Sequence, residues 1–167
     1  MHFCVAMVTK EFPDDKVIEK MLEKNNIPHD YFQVGGRYCA KLKLEVDKDD
    51  KHYDWCYYAK DRRSGRLFRS GIMETKIKDF EEDYFPYFGF DCGYMLVDGC
   101  RIEDCLNLDE AMTNSYMFLS EDNDMVCRDV LKKNEYNAAV RKIIKTDQDC
   151  TFGYGIDGYA CIVDVHD

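Results

Sequence analysis

Residues 30–38, with the sequence DYFQVGGRY, place two glycines directly before an arginine and bracket them with aromatic side chains. Glycine permits positive φ and a close approach of the backbone to a ligand. An arginine guanidinium binds phosphate or carboxylate through two parallel hydrogen bonds. The stretch therefore predicts an anion site. The ligand-binding residues assigned to it are Tyr31, Gly35, Gly36, Arg37 and Tyr38.

A second group of basic residues stands out in a chain that is otherwise acidic. Arg62, Arg63 and Arg66 lie close together and are interleaved with aromatic residues such as Tyr58 and Phe68. A nucleotide needs both kinds of side chain, because arginine neutralises phosphate and an aromatic ring stacks on the base. We assign the three arginines to the same predicted ligand site. The alternative is a surface loop whose charges balance neighbouring aspartates.

Two histidines near the ends of the sequence form a candidate catalytic group. His2 and His166 lie in the first and last predicted strands, and they come close if these strands pair in antiparallel fashion. Asp164 and His166 share one face of their strand because side chains alternate. If the protein is an enzyme, His2, Asp164 and His166 act as acid and base on a phosphodiester. If it only binds its ligand, no residue is catalytic and these histidines make ordinary hydrogen bonds.

The overall composition limits the partners. A net charge of −10 disfavours nonspecific binding to nucleic acid, so duplex DNA is an unexpected partner. No apolar run approaches the ~20 residues of a membrane span, and the first residues lack the basic region of a signal peptide. Nine cysteines without CxxC pairs suit a reducing compartment. We therefore predict a cytoplasmic protein that uses no metal and no cofactor and contacts no membrane.

Hydrophobic periodicity predicts an α+β fold, with residues 1–167 in a single domain and a mainly antiparallel sheet against which two or three helices pack. The first strand covers His2 to Thr9, and a helix follows from Asp14 to Asn25. The last strand, Tyr159 to His166, is apolar on both faces until Asp164. Such a strand is expected at the centre of a sheet, with cover on both sides.

The elements between these strands rest on turn signals. Gly35-Gly36 is expected to close a hairpin between strands at 31–34 and 38–46. A further hairpin is expected from 53–59 and 66–69, with its tip at 61–65, and Asp98-Gly99 marks another. Residues 108–120 allow a short helix followed by a strand, and this assignment stays open. Apolar residues from Val126 to Ile144 recur at helical spacing and predict one broken helix or two in series.

Three segments resemble those of a known group of proteins. They are the opening His2-Phe3 with its short strand, the GGR stretch at 30–38 and the ending Val163-Asp164-Val165-His166. The group consists of small phage-encoded proteins that open with a β-strand, carry an aromatic-rich GGR motif and finish on Val-Asp-x-His. The resemblance implies a viral protein that acts in a bacterial cytoplasm, and it implies no particular activity.

A small phage-encoded protein with an anion site suggests a role in counter-defence. We expect a sponge that sequesters a nucleotide-type immune signal, with Arg37 and the basic loop holding the phosphates. A phosphodiesterase that degrades a cyclic nucleotide signal is one alternative, and an acidic inhibitor that blocks a host nuclease or other defence protein is another. A homo-oligomer is compatible with all three. Convergence of His2, Asp164 and His166 would favour the enzyme, and a pocket lined by Arg37 without histidines would favour the sponge.

Overall fold

The computed structural model describes residues 1–38, 41–45, 94–122, 125–148 and 158–167, and the backbone of five further strands at 52–55, 58–61, 67–69, 73–76 and 84–86. The helices are α1 Asp15–Lys24, α2 Leu108–Thr113 and α3 Lys133–Gln148. The strands are β1 His2–Thr9, β2 Tyr31–Val34, β3 Leu42–Glu45, β4 His52–Trp55, β5 Tyr58–Asp61, β6 Leu67–Arg69, β7 Met73–Lys76, β8 Tyr84–Pro86, β9 Tyr94–Val97, β10 Gly99–Arg101, β11 Met117–Ser120, β12 Met125–Cys127 and β13 Tyr159–His166.

The main sheet is built around the first and last strands. Its order is β10-β13-β1-β11-β12, and β2 also pairs with β13. β1 lies along one side of β13, whereas β10 and β2 pair with its other side at opposite ends. β1 and β11 run parallel, and the remaining pairs of this sheet are antiparallel. The predicted α+β class, the mainly antiparallel sheet and the central position of the last strand are confirmed.

Both faces of this sheet are covered, as the two-sided apolarity of β13 predicts. On one face α1 buries Ile18, Met21 and Leu22 against Val5 and Met7 of β1. On the other face α2, α3 and the β3–β9 pair form the larger core, in which Met112, Tyr136, Val140, Leu42 and Val97 are buried. Each such side chain contributes roughly 1.5–3 kcal/mol when it is fully removed from water.

Local sequence signals explain where α1 begins and ends. The side chain of Asp14 accepts a hydrogen bond from the Val17 N–H at 2.9 Å and so caps the first turn. At the other end Asn26 takes a positive φ of 53°, a conformation that asparagine tolerates better than most residues. The Ile27 N–H then returns to the Leu22 carbonyl at 3.0 Å. The predicted helix from Asp14 to Asn25 is confirmed, with these two residues as its caps.

Two predicted hairpins are wrong for the same reason. Gly35-Gly36 joins β2 to a 3-10 turn at Gly36–Tyr38. The strand before the turn, β2, pairs with β13, and the strand after it, β3, pairs with β9. Asp98-Gly99 likewise carries the chain from β9 in the small β3–β9 sheet to β10 in the main sheet. Turn residues report a change of direction, but they do not report which strand the chain pairs with next.

The other element predictions have mixed outcomes. β5 and β6 do form an antiparallel pair, but β4 pairs with β7. Of the expected basic tip at 61–65, Asp61 ends β5 and the other residues lie outside the described part of the chain. Residues 108–120 form α2 followed by β11. Val126 belongs to strand β12, opposite Phe118, so the prediction of a helix starting there is wrong. The helical pattern is real only from Lys133 onward. None of the helices in the described part of the chain is both long and apolar enough to cross a lipid bilayer.

Candidate active site

The antiparallel register of β1 and β13 brings the two ends of the sequence together. His2 lies opposite His166, and Cys4 lies opposite Asp164. Because side chains alternate along a strand, these four residues point to the same face of the sheet. β2 extends the group, since Tyr31 pairs with His166. The predicted convergence of His2, Asp164 and His166 is therefore present in the fold.

His2 and Asp164 form a hydrogen-bonded pair. The Nδ1 atom of His2 lies 2.9 Å from Oδ1 of Asp164, and the other carboxylate oxygen accepts the backbone N–H of Arg37 at 2.9 Å. Asp164 is 3 % exposed. An ionised carboxylate only accepts hydrogen bonds, so this contact places a proton on Nδ1 of His2. The Nε2 atom of His2 is then left with a lone pair that can accept a proton from a substrate.

The two glycines are required by carboxylates that lie directly beneath them. Gly35 and Gly36 have φ values of +76° and +51°, a region that residues with a side chain rarely adopt. A Cβ atom on Gly36 would lie 2.5 Å from Cβ of Asp164, and one on Gly35 would lie 2.1 Å from Oδ2 of Asp98. Asp98 and Asp164 are both buried. The Gly-Gly step thus lets the backbone close over two buried acids and present the Arg37 N–H to one of them.

The second histidine adjoins the first. The ring centroids of His2 and His166 are 4.6 Å apart, and the His166 ring stacks on Tyr31 at 4.7 Å. Nδ1 of His166 is buried and has no hydrogen-bond partner among the described residues, although a carboxylate oxygen of Asp30 lies 3.7 Å away. At that separation the interaction is an ion pair only when the imidazole is protonated.

Tyr38 ties the strand that carries His2 to the turn after β2. Its hydroxyl donates a hydrogen bond to the His2 carbonyl at 3.0 Å. Burial, followed by the nearby Cys4 and Asp164, raises the pKa of Tyr38, so the phenol remains a donor. The ammonium group of Lys41 lies over the same ring, 5.0 Å from its centroid. Tyr38 thus fixes the backbone of His2 through its hydroxyl group and contacts the Lys41 ammonium group through the face of its ring.

A cavity of about 540 Å³ opens beside this pair. His2, Cys4 and Tyr38 line one part of its wall, and Lys41 and Arg128 contribute two cations. The volume suits one ligand of the size of a drug molecule or a mononucleotide, since such sites commonly enclose about 300–1,000 Å³. The sequence offered no signal for this cavity, because its lining comes from segments that are distant along the chain.

The remaining predicted site residues fall outside this geometry. The guanidinium of Arg37 is exposed, does not line the cavity and has no hydrogen bond or ion pair with the described residues. Arg37 contributes to the site through its backbone N–H. Arg62, Arg63 and Arg66 belong to the part of the chain that the structure does not describe. Within the described ranges, no group of three or more His, Cys, Asp or Glu residues is arranged to hold a metal ion.

Cys4 and Asp98 are the residues that sequence reasoning missed although a signal existed. Cys4 lies two positions after His2 on the same strand face, and its sulfur is 3.5 Å from Nζ of Lys41. Asp98 precedes a glycine at a predicted turn, and it was interpreted only as a turn residue. The arrangement as a whole provides an oriented imidazole on the wall of a cavity with cations, and a second imidazole that contacts the first without lining the cavity. Such a set can transfer protons to and from an anionic ligand.

Comparison with known proteins adds no analogy to this geometry. No protein-family model, no curated protein and no solved structure matches the chain.

Proposed function

We propose that this protein cleaves a phosphodiester bond in a small nucleotide-type substrate by acid–base catalysis. The observation that carries the proposal is the 2.9 Å contact between His2 and Asp164, with the second oxygen of Asp164 fixed by the Arg37 N–H. This contact orients His2 and sets its tautomer, as a buried carboxylate does for a catalytic histidine in many hydrolases. The phosphodiesterase alternative is therefore preferred over the sponge.

The proposed reaction uses one proton acceptor and one proton donor. Nε2 of His2 takes the proton from the attacking water or hydroxyl while that oxygen forms a bond to phosphorus. A protonated His166, whose ring centroid lies 4.6 Å from that of His2, delivers a proton to the oxygen of the P–O bond that breaks. The products are a phosphate ester and a free hydroxyl, so atoms and charges balance. Imidazole suits both roles, because its charge changes near neutral pH.

A phosphodiester fits this pair better than a carbonyl substrate does. Cleavage of a P–O bond needs proton removal from one oxygen and proton delivery to another, which two adjacent imidazoles supply. The cavity next to His2 holds about 540 Å³ and includes cations, as a phosphate needs. The resemblance to phage-encoded proteins implies only that the protein acts in a bacterial cytoplasm, and in that setting we propose a cyclic nucleotide signal of host immunity as the substrate.

Turnover of cyclic nucleotides tests the proposal. Purified protein is incubated with 3′,5′-cyclic AMP, 2′,3′-cyclic AMP and a cyclic dinucleotide, and the products are separated by chromatography. We expect a linear phosphate ester from at least one substrate. His2→Ala should lower the rate by about 10²- to 10⁴-fold, the usual loss when a general acid or base is removed. The matched control is His29→Ala, because His29 is also half-buried, and among the described residues its hydrogen-bond partner is the Ile27 carbonyl alone.

Sequestration without cleavage is the second candidate, because the same cavity would hold an anion whether or not a reaction follows. A sponge would release the bound nucleotide intact after heat denaturation, and its affinity would not depend on His166. Intact recovery of every tested nucleotide, with unchanged binding in His166→Ala, would contradict the enzymatic proposal and favour the sponge. Equal rate losses in His2→Ala and His29→Ala would contradict it as well, because the effect would then not be specific to the pair.

A further inference from the structure

The cavity beside His2 contains two cations that the proposed proton transfers do not use. Lys41 and Arg128 both line it, although they come from segments far apart in the sequence. The chain is acidic, with Asp and Glu numbering 33 against 23 Lys and Arg. In such a chain a basic side chain is expected to find a carboxylate. Neither Lys41 nor Arg128 forms an ion pair with any described residue.

Each of the two cations is instead held by neutral groups. Nζ of Lys41 lies 3.5 Å from Sγ of Cys4 and over the ring of Tyr38. The guanidinium of Arg128 lies over the ring of Tyr136, 5.2 Å from its centroid, and donates to the Thr113 carbonyl at 2.6 Å. These contacts fix the positions of both cations without neutralising their charge. The positive charge therefore remains available to a ligand in the cavity.

Arg128 also has an unused hydrogen-bond donor. Its Nε atom is buried and has no hydrogen-bond partner within the described residues. A buried donor without a partner costs free energy, and a small shift of the side chain toward a ligand oxygen in the cavity would remove that cost. The neighbouring acid on the cavity wall, Asp129, is engaged elsewhere, because the hydroxyl of Tyr116 donates to its Oδ2 atom. The other acid on the wall is Asp167.

The rest of the wall is largely apolar. Phe3, Ile27, Met117 and Met125 line it together with the ring of Tyr116. A ligand that matches both parts of the cavity has an anionic group at one end and a flat or apolar group at the other. Free inorganic phosphate would satisfy only the cations, and an uncharged nucleoside would satisfy only the apolar wall.

We infer that this cavity is the recognition site for a phosphate ester of mononucleotide size, with the phosphate bound between Lys41 and Arg128 and the base against the apolar wall. The inference rests on the proposed function and names how its substrate is held. Lys41 and Arg128 bind the phosphate, and His2 lies on the same wall, where Nε2 can reach the phosphate oxygens. Product and substrate share the phosphate, so a nucleotide monophosphate is a suitable probe.

Calorimetry with three probes tests the inference. The probes are adenosine 5′-monophosphate, inorganic phosphate and adenosine. We expect measurable binding of the monophosphate, weaker binding of inorganic phosphate and weaker binding of adenosine. Lys41→Gln should weaken monophosphate binding by roughly 10- to 100-fold, the loss expected when one charge-assisted hydrogen bond disappears. The matched control is Lys43→Gln, because Lys43 lies two residues further along, has its ammonium group over Tyr94 and does not line the cavity.

Several outcomes would overturn the inference. Adenosine binding as tight as that of the monophosphate would remove the phosphate from recognition. Equal losses in Lys41→Gln and Lys43→Gln would show a nonspecific effect of charge. Arg128→Gln should also weaken monophosphate binding, and if this variant does not fold, the Lys41→Gln comparison decides alone, because Lys41 is only partly buried.

The inference and the proposed function can fail separately. Monophosphate binding that depends on Lys41, without turnover of any cyclic nucleotide, would support the inference and contradict the enzymatic proposal. Turnover with a KM that is unchanged in Lys41→Gln would support the enzyme and overturn the inference. Turnover with a KM that rises in Lys41→Gln and not in Lys43→Gln would support both.

Discussion

Gly36→Ala tests whether the Gly-Gly step serves the buried carboxylate beneath it. The backbone at Gly36 has φ +51°, and an added Cβ would lie 2.5 Å from Cβ and 2.6 Å from Oδ2 of Asp164. Real Cβ atoms essentially never approach another heavy atom this closely. Either the turn or Asp164 must shift, and both are constrained by the hydrogen bond from the Arg37 N–H to the carboxylate. The substitution should therefore break that bond.

The expected loss of stability has two parts. Placing a residue with a Cβ in the left-handed region costs roughly 1–2 kcal/mol. Losing one hydrogen bond to a buried carboxylate costs about 1.5–3 kcal/mol more. The free energy of unfolding should thus fall by about 2.5–5 kcal/mol, a large share of the ~5–15 kcal/mol typical of a domain. At roughly 2–4 °C per kcal/mol for a chain of this size, Tm should fall by about 5–20 °C.

Urea unfolding followed by circular dichroism measures this loss, and Asn26→Ala is the matched control. Asn26 has φ 53° but is exposed. Alanine at this position therefore carries the free-energy cost of the left-handed backbone without a steric clash. We expect the control to lose roughly 1 kcal/mol or less, since asparagine itself is only moderately favoured in this region. Equal losses in Gly36→Ala and Asn26→Ala would refute the reasoning, because the carboxylate would then impose no requirement on Gly36.

Three further predictions concern Asp164, Tyr116 and Cys161. Asp164→Asn should reduce the turnover of cyclic nucleotides by about 10²- to 10⁴-fold while the protein stays folded, because His2 loses the carboxylate that orients its ring and sets its tautomer. Steady-state kinetics and circular dichroism measure the two effects. The hydrogen bond to Asp129 raises the pKa of Tyr116 to about 12. The stability that this hydrogen bond contributes is therefore complete below the ordinary pKa of about 10 and is lost as the pH rises through about 12. Tyr116→Phe should therefore flatten the alkaline fall of Tm over that range, and an unchanged fall would contradict the assignment. Burial raises the pKa of the Cys161 thiol, so in the native protein iodoacetamide should modify the partly exposed Cys127 and spare Cys161 until urea is added, as peptide mass mapping would show.

The strands and helices that the sequence predicts correctly are those with a continuous pattern of their own. β1 and β13 are dense in apolar β formers, and α1 has a cap at each end and an apolar stripe. Each of these signals lies within one segment of the sequence, so it can be interpreted without knowledge of the rest of the fold. β12 shows the limit of such signals, because Val126 fits a helical spacing by coincidence and is fixed as a strand by pairing with Phe118.

Strand partners were harder to predict than strands. Gly35-Gly36 and Asp98-Gly99 both have the composition of a hairpin turn, yet each leads into a strand of another sheet. What decides the partner is the burial of side chains across the whole molecule. Val34 pairs with Val163, which lies more than a hundred residues away in the sequence. Turn chemistry contains no information on a pairing of that range.

Part of the candidate site could be predicted from the pairing of the first and last strands alone. Once β1 and β13 are assumed to pair, the alternation of side chains places His2, Asp164 and His166 on one face, and the register does bring them together. Lys41 and Arg128 could not be found this way, because their positions depend on how β3 and the segment after β12 pack over that face. The pairing of β1 with β13 is enough to predict that His2 and Asp164 lie close together. Predicting the cavity also requires the positions of the segments that pack over the sheet.

In the GGR motif, a backbone donor binds a carboxylate of the protein's own chain. Glycines followed by a donor do form an anion site here, but in the described structure the anion is the protein's own Asp164 and the donor is the Arg37 N–H. A backbone donor is present whatever the side chain, so this geometry demands glycine at 35 and 36 and makes no demand on residue 37. The exposed guanidinium of Arg37 has no hydrogen bond or ion pair with a described residue. Arg37→Ala should therefore leave the free energy of unfolding nearly unchanged, whereas Gly36→Ala should lower it.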